Sequence, residues 1–482
     1  MFQPPYELLP VHALVAVSLT LAAAAPAGAA CVHPDGDDGC ETTIQAGIDI
    51  AAAGEIVDIA KGVYFENVVV PPGLDGLVLR GKSAKKTIVD ADAPNTGIGI
   101  DVRSNNVRIE GLTVRNGIDA GISLMAGTSG ALLVGVAIVG ADGHCLVNDA
   151  TGTTVAGGTF RGCDDGIEST GADLTVADSE FLQLDSAGID HDADRLTVTD
   201  STFRMIDADG INAAGSDTRV AGCKFERIFD FAVEVDGPGA RLVDNKVEVA
   251  NRGLDIGAGL IGDSSAARVT GNKISNVFGN GVRWFCSTTC LEADVSGNKI
   301  SWVFDDEAID LSSDEGTLTV LGNKISEVRE EALFLRTSGA AADVAVVDGN
   351  KIKRAGYVRS DVVCFDGGGI LFSNNSVVGA GGTGLRIDRA DIGAILDGNK
   401  FSGGLSTGIQ VGGNAGTNSV GVALTGNKVK KNLGAGVELL ADAIDTALSE
   451  NKLSKNGTDL CDGGTTTMLD GTNKFDTVAP CS

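Results

Sequence analysis

Apolar residues along most of this chain fall in short runs that alternate with polar ones, and Gly, Asn or Asp bounds each run. GNKISNVF (271–278), GNKISWVF (297–304) and GNKISEV (322–328) are three copies of one run, set at steps of 26 and 25 residues. Asn245, Asn350, Asn375, Asn399, Asn427 and Asn451 continue the series, and DSEF (178–181), DSTF (200–203) and GCKF (222–225) keep its frame upstream. A second small-apolar-polar word follows most copies: GIE (166–168), GID (188–190), GIN (210–212), GLD (253–255) and GVR (281–283). A third run precedes the next copy, as in LTVTD (196–200), TRVAG (218–222) and LTVLG (318–322). Period-2 alternation in short runs predicts strands, and three such runs per 21–28 residues predict an all-β coil with three strands per turn. Each strand would pair with its counterpart one turn on, ~4.8 Å away, giving roughly 16–18 turns and a rod ~80 Å long. No stretch between the runs carries the i, i+4 apolar spacing of a helical repeat.

The ends are expected to differ. Thr42-Thr43-Ile44-Gln45 matches a capping box, with Ile44, Ile48 and Ala52 on one helical face, so a short helix should cover the first coil. Residues 13–25 form an apolar run too short to span a bilayer, and Ala27-Gly28-Ala29 suits signal-peptidase cleavage. The reading is therefore a signal peptide over 1–29 and one β-helix domain over 30–482, with caps at 30–60 and 455–482. A chain of 482 residues would otherwise divide into several domains, but stacked repeats have no core-size limit. The leader's single charge is Glu7, so its removal takes the net charge from −28 to −27, which argues against a nucleic-acid partner. The protein is expected to be secreted, periplasmic or on the cell surface, with no membrane span and as a monomer. Ten cysteines fit an oxidising compartment. The pairs Cys31–Cys40, Cys286–Cys290 and Cys461–Cys481 are expected disulfides, and Cys145, Cys163, Cys223 and Cys364 are read as buried small residues.

TIQAGIDIAAAGEIVDIAKGVYFENVVV (43–70) with LVLRGKSAKKTIVDA (77–91) resembles the opening segment of secreted right-handed parallel β-helix proteins of the pectin-lyase-like fold, pectin methylesterases among them. The resemblance spans the whole mature chain at the level of fold. The catalytic words of the methylesterases are missing, so that activity is not expected, and fold alone does not transmit function.

Candidate chemistry sits on the second word. Its polar residue gives Glu168, Asp190, Asn212, Glu234, Asp255, Arg283 and Asp310, one outward column if the turns stack in register. Carboxylates ~4.8 Å apart repel, which raises pKa values or recruits a cation, so Glu168, Asp190, Glu234 and Asp255 are candidate calcium ligands. CDDGIES (163–169) is similar to a polygalacturonase acid/base word, and Asp190-His191-Asp192 to part of a mannuronan epimerase word. On these likenesses Asp165, Glu168, Asp190 and His191 are the catalytic candidates, His191 with a pKa raised by its neighbours. Asn212, Arg283, Trp284 and Trp302 are candidate sugar contacts, the tryptophans by stacking on sugar rings. His144 (DGHC) is read as a turn residue. Three readings stay open: a protein that binds or processes a polysaccharide or cell-surface glycan as lyase, epimerase or hydrolase; a non-catalytic surface rod whose acidic face binds cations; and an accessory protein of metal or cofactor maturation, for which the sequence offers no His/Cys/Met ligand cluster.

Overall fold

The computed structural model describes residues 30–91, 97–257, 267–286, 292–313, 316–337, 344–357, 361–413 and 418–481. They form an all-β parallel solenoid of about 17 turns. Thr154–Ala156, Thr159–Arg161 and Ile167–Ser169 pair in parallel with the strands one turn on, Thr175–Ala177, Glu180–Leu184 and Ile189–His191. The next turn repeats the pattern with Thr197–Thr199, Thr202–Ile206 and Ile211–Ala213. Further along, Lys224–Val235, Lys246–Gly257, Val363–Ser373 and Leu385–Asp397 run through a bend as single long strands.

Alternation decides what each strand buries. In Lys299–Val303, Ile300 and Val303 point inward while Lys299 and Ser301 face out, and Lys273–Val277 and Lys324–Val328 repeat this. Gly271, Gly297, Gly322 and Gly349, which open the repeated word, take φ between 62° and 71°, a left-handed corner that a Cβ would strain. The Asn after each glycine is buried. Asn272 Nδ2 donates to Asn298 Oδ1 at 3.0 Å and to Leu242 O at 2.8 Å, and Asn298 repeats this with Asn323 and Val269. The ladder runs through Asn350, Asn375, Asn399 and Asn427 to Asn451 and Asn473. Upstream, serine holds the same position: Ser201 Oγ accepts from Ser179 N at 3.1 Å. Each amide thus closes a corner whose backbone would otherwise be buried unpaired. Phe160, Phe181, Phe203 and Phe225 stack inside with ring centroids 4.7, 4.5 and 4.9 Å apart, so identical residues in identical frames fill the core.

The only helix of more than one turn among the described residues is Ile44–Ile50, with Ile44 and Ile48 buried. Its cap differs from the expected box by one residue. Thr43, not Thr42, is the N-cap, and its Oγ1 accepts from Ala46 N at 3.1 Å. Glu66 accepts from Ile44 N and Gln45 N at 2.7 and 3.0 Å, so a carboxylate from beyond the helix satisfies the first turn and frees Gln45 to bond Val69.

Cys31–Cys40 and Cys461–Cys481 are disulfides, as the spacing predicts. Cys145 and Cys163 form a third, where the sequence reading makes them separate buried residues. Stacking brings their Cα atoms to 5.5 Å although 18 residues separate them. Cys223 and Cys364 are free and buried, and the Cys286–Cys290 pair lies outside the described residues. No described helix is long and apolar enough to cross a membrane.

Candidate functional site

Strand pairing sets the outward column residue by residue. Val147 lies beside Glu168, Glu168 beside Asp190, Asp190 beside Asn212, and Asn212 beside Glu234. Glu234 then meets Asp255, Asp255 meets Arg283, and Arg283 meets Asp310. Asn212 Nδ2 donates to Asp190 at 3.0 Å. Burial, then Asp192, Asp165 and Glu168, push the Asp190 carboxyl above its ordinary value. The side chain of Asp255 lies outside the described residues.

A second set of polar residues stands three positions before the first column in six turns, interrupted by Ala187 and Phe231. It contains His144, Asp165, Asp209, Asn280, Glu307 and Glu331, each followed by a small residue and an inward aliphatic. His144 is the residue that sequence reasoning passed over. Its Nδ1 lies 2.8 Å from Asp165 Oδ2, and its Nε2 lies 3.1 Å from Glu168 Oε2, so a carboxylate faces each ring nitrogen. Both contacts are ion pairs once the ring is protonated, although Nδ1 does not meet hydrogen-bond geometry with Asp165; the Asp165 contact raises the His144 pKa despite partial burial. Asp165 is nearly buried. Burial pushes its pKa up, but His144, Ser186 and the Ala187 N–H, donating at 2.7 Å, outweigh burial and hold it below its ordinary value. Two turns on, burial pushes Asp209 up to about 6 while it accepts from Phe231 N at 2.9 Å. The Cys145–Cys163 disulfide fixes the backbone beside His144 and two residues before Asp165.

Two sequence-derived candidates fall on the wrong side of the wall. His191 is fully buried, because the alternation that turns Asp190 outward turns its neighbour inward. Burial lowers its pKa, reversing the expected rise. Trp284 is 4% exposed for the same reason: it follows the outward Arg283, and its backbone pairs in register with Ile256 on one side and Leu311 on the other. Trp302 is 50% exposed and left-handed at φ 61°, but its strand, Lys299–Val303, pairs with Lys273–Val277 and Lys324–Val328 and not with the strands of the column, so the tryptophans do not form one platform. Exposed aromatics lie instead on the turns that lead into the Asp190 sheet. Phe229 and Phe278 are exposed, Phe278 and Phe304 have centroids 5.4 Å apart, and Met205, Val249, Phe229 and Phe278 line a hollow of about 410 Å³.

As cation ligands, the expected column residues are partly committed, since Glu168 faces His144 and Asp190 accepts from Asn212. Glu307, Glu330 and Glu331 bring carboxylate oxygens within 4.8 Å of one another. Burial raises Glu331 to about 7 and also raises Glu307, the cost of crowding carboxylates that a divalent ion would offset.

The right handed beta helix region family matches this sequence over residues 144–300, 187–344 and 257–456. No curated protein matches it. Among solved structures, the tailspike protein of E. coli bacteriophage HK620, in complex with a hexasaccharide, is similar over 82% of this chain and 75% of its own, at 13% identity and TM-score 0.48. A PL6-family alginate lyase is similar over 94% and 99%, at 8% identity and TM-score 0.32. A pectate lyase is similar over 73% and 78%, at 10% identity and TM-score 0.31.

Proposed function

We propose that this chain, which belongs to the right handed beta helix family, binds and processes a polysaccharide along its Asp190 sheet by proton transfer. One observation carries the reading: His144 is held between Asp165 and Glu168 at the end of an open column of carboxylates. In this reading His144 is kept protonated by its two partners, and the sugar oxygen displaces the more exposed Glu168 from Nε2 and takes the Nε2 proton as it departs or rearranges. Asp190, whose pKa burial raises, takes up a proton on the same face. Asn212 and Arg283 contact sugar hydroxyls or carboxylates along the column, and Phe229 and Phe278 offer ring faces beside it. The alternative of a non-catalytic rod makes the same column a cation face, and calcium would then fit Glu307, Glu330 and Glu331 best. The three disulfides among the described residues suit an exported protein, and we take export and the end-covering role of the Ile44–Ile50 helix as part of the proposal.

The test is a panel of neutral and uronate polysaccharides, scored for binding and for new reducing ends or unsaturated products. His144→Ala should abolish turnover by at least ~100-fold while leaving the melting temperature near that of the native protein. A panel without binding or products would leave the rod as the better reading.

A further inference from the structure

We infer that the outward face of the sheet containing Lys299 is a second binding surface, built for a linear polyanionic glycan lying along the rod. The lysine of the repeated word stacks on itself. Lys224 lies beside Lys246, then Lys273, Lys299, Lys324 and Lys351 follow in register. Ser376 interrupts, and Lys400, Lys428 and Lys452 resume. The other outward position of each strand, two residues on, holds Glu226 and Glu248 in the first two turns, and these pair with Lys224 and Lys246. From Lys273 onward the pairing stops. That second position becomes Ser275, Ser301, Ser326, Lys353, Val378, Ser402, Lys430 and Ser454, with no carboxylate at either position through to Lys452; the next residue of these strands holds one, Glu327, which pairs with Arg354.

The absence of acids here is not for want of supply, because Asp and Glu outnumber Lys and Arg by 65 to 37 over the chain. Like charges directly opposite on neighbouring strands destabilise a sheet, and one Glu per turn would relieve them, as it does at Lys224 and Lys246. These lysines are exposed and, among the described residues, make no ion pair. The repulsion is therefore carried over successive turns in a molecule that neutralises it elsewhere, which fits a face whose counter-charge comes from outside. The geometry selects the partner. An in-register row with ammonium groups ~4.8 Å apart, broken at Ser376, meets an extended chain with one carboxylate or sulfate per sugar, and the serines supply hydroxyls for its neutral oxygens. Duplex phosphates wind away from such a row, and single-stranded nucleic acid is held on a succession of aromatic platforms, of which the strands of this row from Lys273 onward expose one, Trp302. This sheet shares no residue with the His144 cluster, so the inference goes beyond the proposed function.

Retention on immobilised heparin and on alginate, with dextran as neutral control, tests it. The native protein should be held at low salt on both polyanions, pass through dextran, and elute as salt rises. Lys299→Ser/Lys324→Ser/Lys351→Ser should bind roughly tenfold or more weakly, with a melting temperature equal to or above that of the native protein. Failure of the native protein to be retained, unchanged retention of the triple variant, or equal retention on single-stranded DNA would each overturn the inference. Retention is read without turnover, so failure here leaves the His144 reading standing, and failure of that reading leaves this one standing.

Discussion

At the scale of single residues, the two histidines inside the coil show how one position in the frame sets chemistry. His144 stands where a turn enters a strand, half-exposed, with carboxylates against both nitrogens and a raised pKa. His191 stands one residue past an outward Asp, fully buried, and is pushed toward the neutral form. If protonated His144 is the donor, activity should persist above the ordinary histidine pKa and fall as pH rises through the higher folded-state value. The same contacts stabilise the fold below the unfolded pKa, and that contribution is lost over the same rise. Asp165→Asn should move the alkaline limb of the pH–rate profile to lower pH, and an unmoved limb would remove Asp165 as the group that sets it. The missed role of His144 was within reach of the sequence. Counting back 21 residues from Asp165, the step that separates Val147 from Glu168, lands on His144. The inward turn of His191 and Trp284 was legible too, since both follow an outward polar residue in a strict period of two.

At the scale of elements, the frame read from asparagine and phenylalanine steps matches the observed register turn by turn, because a parallel solenoid converts equal sequence steps into spatial contact. The disulfide between Cys145 and Cys163 is harder to read. Their spacing of 18 residues matches no repeat step, and only the path of the intervening turn shows that the sulfurs meet. The asparagine ladder is the clearest energetic element. Asn323 accepts from Asn298 N at 2.9 Å and Asn298 Nδ2 at 3.1 Å, and donates to Val295 O at 2.8 Å and Asn350 Oδ1 at 3.0 Å. Asn323→Ala would leave buried donors and acceptors on both sides unpaired, at roughly 1–3 kcal/mol for each group left without a partner. The expected loss is about 3 kcal/mol in denaturant unfolding, against a few tenths for Lys324→Ala one residue away on the outer surface. Equal costs would mean that the amides are held by the stack rather than holding it.

At the scale of the whole molecule, charge is sorted by sheet: carboxylates crowd the Asp190 face while lysines line the Lys299 face. The acidic side sets the response to pH. Burial raises Asp190, Asp209, Asp236, Glu307 and Glu331, Asp209 to about 6 and Glu331 to about 7. Between the ordinary carboxylate range and those values the folded state binds more protons than the unfolded chain, so these groups make stability fall as pH rises toward neutrality. Asp165 and Glu110, whose pKa values are lowered, act in the opposite sense and lose their contribution only in more acidic solution. The melting temperature should therefore peak on the acid side of neutrality. Glu331→Gln removes one ionisation that the fold resists. It should stabilise the protein at about pH 8 by on the order of 1 kcal/mol, discounted for partial exposure, and change little at about pH 5. Calcium gives the same variant a second use. If Glu307, Glu330 and Glu331 hold the ion, excess Ca²⁺ at about pH 8 should raise the native melting temperature and leave Glu331→Gln nearly unmoved. A native protein indifferent to Ca²⁺ would leave proton uptake as the means by which the fold tolerates these three carboxylates.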